Sequence, residues 1–74
     1  MKTVLVFKTS INSELTIKQK VEHLLNNITR NPDSWNFDLE DCDNILRVET
    51  QNVAPEEIIN PLIKEGFYCE ELKD

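Results

Sequence analysis

SWNFDLEDCDNILRVET, residues 34–50, decides the fold. In its first half Trp35, Phe37 and Leu39 share one parity, and Asn36, Asp38 and Glu40 share the other. That alternation is a strand with one dry face and one wet face. Residues 41–44, DCDN, carry the Asp and Asn that favour turns. NILRVET then returns, with Leu46 and Val48 toward a core and Arg47 and Glu49 toward water. The two halves make a hairpin, and the rest of the chain must cover its dry face.

The flanks supply the cover. Thr3 to Phe7, within KTVLVFK, is apolar on both parities, as in a strand held centrally in a sheet. After the polar stretch TSINSE, Ile17, Val21, Leu24, Leu25 and Ile28 fall on one face of a helix. Asn12, Ser13 and Thr16 are candidate N-caps, and Thr16 with Gln19 fits a capping box. Asn31-Pro32 should end this helix. Beyond the hairpin, Pro55 suits a first helical position, and Glu56 and Glu57 suit the first turn. Ile58, Ile59, Leu62 and Ile63 form the expected apolar face. Pro61 should kink this second helix and Gly66 should stop it. FYCEEL, residues 67–72, reads as a last strand, with Phe67 and Cys69 on one parity and Tyr68 and Glu70 on the other.

The order is β-α-β-β-α-β. Two right-handed crossovers around a hairpin give a four-stranded antiparallel sheet, and each helix has one apolar stripe to bury on the same side. The expected fold is an α+β, ferredoxin-like sandwich with strand order 4-1-3-2, formed by residues 1–74 as one domain.

Composition narrows the function. Net charge is −6, from eight bases against fourteen acids, which argues against nucleic acid. Residues 1–30 hold five bases and two acids, giving +3; residues 31–74 hold three bases and twelve acids, giving −9. An acidic half suits a basic protein partner, a cation, or simply a solvated surface. No apolar run is long enough for a membrane span or the core of a signal peptide, so a cytoplasmic protein is expected. Two cysteines do not make a disulfide framework.

Four segments in order, KTVLVF, KVEHLLNNI, WNFDLEDCDNILRVET and APEEIINPLIKEGFYCEEL, resemble the heavy-metal-associated domain of copper chaperones and metal-transporting ATPases. The resemblance spans essentially the whole chain and implies a soft-metal site at the loop between the first strand and first helix. The family places Gly-Met-x-Cys-x-x-Cys there. Counting back from Val21, Ile11 and Asn12 occupy the Gly-Met positions, and Glu14 and Ile17 the two thiolate positions. Ile17 has no donor atom, so the resemblance implies a divergent member without the family's ligands. Cys42 and Cys69 cannot replace them. They belong to opposite edges of the expected sheet, roughly 14 Å apart across three strand spacings, beyond the ~7 Å limit of a disulfide. Cys69 reads as a small core residue, and Cys42 as a turn thiol that is at most a weak, atypical metal ligand.

Other candidates are weaker. Asp38, Glu40, Asp41 and Asp43 could attract calcium, but they lack loop spacing and a glycine hinge. His23 lies off the apolar stripe and has no partner ligands. Lys8, Thr9, Ser10 and Ser13 could form an anion-binding loop at a helix start, although that loop has neither Arg nor Gly. No nucleophile–base pair is visible, so no enzyme is expected. What remains is surface. One parity of the first strand, flanked by Asp38, Glu40, Arg47, Glu49 and Tyr68, should form an open face able to dock a protein or a second copy. The expectation is a non-enzymatic interaction module without cofactor, binding neither nucleic acid nor membrane. An atypical metal-binding or metal-delivery protein and an anion-binding regulatory domain are the alternatives.

Overall fold

β1 (Thr3–Thr9) is one of two inner strands of the sheet. The computed structural model describes residues 3–31, 33–40, 42–51 and 53–72. β2 (Trp35–Asp38), β3 (Ile45–Thr50) and β4 (Cys69–Glu71) complete one sheet in the order β2-β3-β1-β4, which from the other edge reads 4-1-3-2. All three pairings are antiparallel, with Phe7 opposite Leu46 on one side and opposite Glu71 on the other. α1 spans residues 14–29 and α2 is Pro55–Lys64.

Either parity of β1 could have faced inward by composition. The larger side chains go in: Leu5 and Phe7 are buried while Val4 is 55% exposed. Phe7 is fully buried in a core that also holds Val21 and Leu25 of α1, Leu46 and Val48 of β3, and Ile58 and Leu62 of α2. Both helices therefore pack on one face of the sheet. Ile45 is also buried, although its parity puts it on the opposite side, between Lys8 and Asp38 in register.

α1 takes one of the three expected caps. Ser13, not Thr16, is the N-cap: its hydroxyl accepts from the Thr16 N–H, and Thr16 is already helical. The Thr16–Gln19 capping box therefore does not form. The helix starts as one α turn (Glu14–Thr16), widens into a π turn (Ile17–Val21), and continues as α-helix (Glu22–Thr29). Its end comes earlier than Asn31-Pro32, at Arg30, which adopts left-handed angles (φ 60°) and sends its N–H to the Asn26 carbonyl at 2.7 Å. Pro32 lies outside the described residues.

β2 is tied to α1 through Trp35, whose indole Nε1–H donates to Asn26 Oδ1 at 2.9 Å. Trp35 meets Phe37 edge to face, with ring centroids 6.0 Å apart. Both pack partly buried against the core, as the alternation implies.

α2 runs through Pro61. Ala54 precedes it without a side-chain acceptor, so only the Glu57 carboxylate contributes a cap, taking the Ala54 N–H at 2.6 Å. Ile58 and Leu62 form the buried stripe, but Ile63 is 54% exposed, against expectation. One residue on from Leu62, Ile63 is rotated ~100° around the helix, off the stripe. Gly66 (φ 94°) closes the helix with its N–H on Ile63, while the Phe67 N–H reaches Leu62, the paired bonds of a Schellman motif.

Candidate functional site

The loop between β1 and α1 is built as a joint. The Thr9 hydroxyl donates to the Asn44 carbonyl at 2.8 Å and accepts from the Ile11 N–H at 3.2 Å. Ser10 exchanges bonds with Tyr68 through its N–H and its Oγ. Lys8 lies 3.5 Å from Asp43 in an exposed ion pair. Of the residues considered for an anion loop, Lys8, Thr9, Ser10 and Ser13 thus all have internal partners: Lys8 and Thr9 reach the hairpin turn, Ser10 reaches Tyr68 just before β4, and Ser13 caps the first turn of α1.

At positions 14 and 17, where the resemblance to heavy-metal-associated domains would put two thiolates, the chain has a carboxylate and a core residue. Glu14 is exposed on the first helical turn. Ile17 is only 9% exposed and belongs to the core, as does Ile11 one turn of chain before it. Asn12 is exposed between them. The burial of Ile11 is not readable from helix or strand periodicity, because it sits in an irregular segment. Among the described residues, no group of three or more His, Cys, Asp or Glu side chains is placed to hold a metal ion. His23 is exposed on α1.

Both thiols are free, Cys42 exposed in the hairpin turn and Cys69 buried on the edge strand opposite β2. Burial pushes the Cys69 thiol from the ordinary 9.0 up to about 11. Disulfide reagents at pH 8 should therefore label Cys42 rapidly and Cys69 only after unfolding. A raised folded-state value also has a sign. The contribution to stability is complete below pH 9.0 and is lost as pH rises toward about 11. Urea unfolding of Cys69→Ala across that window should show a shallower decline than the parent.

The acidic residues do not converge. Asp38 is 3.9 Å from Arg47, and Asp43 faces Lys8. Glu40 is exposed in the turn after β2. Asp41 lies outside the described residues.

Two surfaces stand out. On the sheet face away from the helices, Val4, half-buried Val6 and Leu72 form a short apolar row: Leu72 donates its N–H to Val6 at 2.8 Å, and Val4 and Leu72 are 55% and 40% exposed. Arg47, Glu49 and Glu70 border it, in register with Val6, Val4 and Lys8. Tyr68 donates its hydroxyl to the Glu70 carboxylate, which holds the phenol above its ordinary value. The second surface is a cleft of about 510 Å³ along β2, bounded by Glu14 and Ile17 of α1 and by residues 35–40. Sequence patterning gives no sign of a groove between the start of α1 and β2. Among the described residues, no helix is long and apolar enough to cross a membrane. No family model matches this chain, and neither does any curated protein or solved structure at a significant score.

Proposed function

We propose that this chain is a ferredoxin-like domain of the heavy-metal-associated type that has lost the family's metal ligands, and that it acts as a non-enzymatic protein-interaction module. The element order and the antiparallel pairing support the frame. The observation that carries the functional reading is the uncovered sheet face. Val4, Val6 and Leu72 form an apolar row at its centre, with charged neighbours in register, and that is the composition of a docking surface. Two unpaired thiols suit a reducing, cytoplasmic setting.

The test is site-specific photo-cross-linking in extract of the source cells. A photoreactive residue at Val4 or at Asn36, on the strand side, should give a defined adduct with one protein. The same group at Gln19, on the outer side of α1, should not. Adducts absent from the strand-side positions, or equal at all three, would contradict the reading.

A further inference from the structure

The cleft along β2 combines three features that point to one occupant. The first is an unpaired edge. Among the described residues β2 pairs only with β3, and the Glu49 N–H bonds to the Ser34 carbonyl at 2.6 Å. That bond fixes the alternation: the main chain of Ser34, Asn36 and Asp38 turns toward β3, and the main chain of Trp35 and Phe37 turns outward. The second is a division of character across the strand. On the helix side lie Trp35, Phe37 and Ile17; on the other side lie Asn36 and Asp38, and Glu40 follows in the turn. The third is charge. Glu14, Asp38 and Glu40 line the cleft with no Lys or Arg among its lining residues, and neither Glu14 nor Glu40 has an ion pair among the described residues.

We infer that this edge takes up an extended basic segment of another protein as a fifth strand, one in which Lys or Arg alternates with apolar residues. Apolar side chains lie against Trp35 and Phe37, and the cationic ones reach Asp38 and Glu40. The outward N–H and C=O groups of Trp35 and Phe37 supply the ladder. β2 is four residues long and so seats about four residues of the incoming strand, ~13 Å of chain. A second copy of this chain is the wrong occupant, because its net charge is −6 and it would bring acid to an acidic edge. The other edge, β4, is a three-residue strand. The inference rests on the reading of the chain as an interaction module, but it puts a basic partner at the β2 edge and not on the Val4–Val6–Leu72 row.

The probe is an acetylated, amidated eight-residue peptide alternating Lys and Val. Two N-methylated forms block either the even or the odd backbone N–H groups, and a further form has Glu for Lys. Trp35, the one tryptophan, reports binding by its emission, and backbone amide shifts locate it. In an added strand only alternate residues bond to β2. One methylated form should therefore lose at least ~10-fold in affinity, while the other stays within about 3-fold of the parent. The Glu form should not bind. Asp38→Lys combined with Glu40→Lys, both at the surface, should weaken the parent peptide by at least ~10-fold. Equal effects of the two methylated forms, or no binding of the parent peptide, would overturn the inference. Shifts centred on Val4, Val6 and Leu72 would also overturn it, while leaving the module reading standing. Loss of that reading shows separately, as missing strand-side cross-links.

Discussion

Phe7→Ala lowers the melting temperature by on the order of 20–30 °C and leaves a substantial unfolded population at 37 °C. Phe7 has no exposed surface and sits on an inner strand, between Leu46 of β3 and Glu71 of β4 in register. Both helices close over the same core. Truncation removes the ring's transfer free energy and leaves a cavity that backbone on two sides cannot fill, at about 3–5 kcal/mol. A 74-residue domain has a total stability of about 4–11 kcal/mol, so one side chain removes a large part of it. Val4→Ala is the control. It lies on the same strand at the exposed parity and should cost less than about 0.5 kcal/mol. Thermal unfolding followed by circular dichroism separates the two, and a larger loss from Val4→Ala than from Phe7→Ala would mean that β1 faces the other way.

Thr9→Val is the second large effect, at about 2–3 kcal/mol, although the shape hardly changes. Thr9 is 4% exposed, and its one hydroxyl both donates to the Asn44 carbonyl and accepts from the Ile11 N–H. Valine fills the same space and leaves both main-chain groups without that partner. Asn44 stands at a left-handed turn position (φ 49°), so the lost bond also loosens the hairpin turn against the end of β1. Thr9→Ser keeps the hydroxyl and loses a methyl, at about 1 kcal/mol. The ordering, valine worse than serine, is the diagnostic result in denaturant titration. The reverse ordering would make Thr9 a packing residue only.

Residues 34–50 made the hairpin legible because alternation on a half-buried strand is a strong signal, and Trp35, Phe37, Leu46 and Val48 take the sides it assigns. Gly66 was legible for the same kind of reason, since a left-handed position after an apolar stripe favours the residue without Cβ. The facing of β1 was not. Valines alternate there with leucine and phenylalanine, so polarity is silent and volume decides. The π turn at Ile17–Val21 was also hidden, because the polar triplet Lys18-Gln19-Lys20 fits an ordinary α turn equally well. Ile63 and Ile45 show the limit of stripe arguments: a helix face has a finite width, and a residue on the open side of a sheet is buried when its neighbours cover it.

The candidate site was legible in part. Ile17 could be recognised as a residue without a donor atom, but its place in the core depends on packing that only the fold supplies. The loop hydroxyls offered the parts of an anion site. Their use as structural hydrogen bonds appears only when Asn44 and Tyr68, far away in sequence, come beside them. The β2 cleft is a product of where α1 starts relative to the strand edge, and no local pattern encodes it.

The central claim is that the β1–α1 loop, where the proposed heavy-metal-associated type would carry its metal, is in this chain part of the core and the helix start. Titration of the fully reduced protein with Cu(I) and with Zn(II), in competition with a chelator of known affinity, tests it most directly. The account predicts no 1:1 complex of micromolar or tighter affinity. A 1:1 complex that disappears on Cys42→Ser, or one that shifts the amides of residues 11–17, would contradict it.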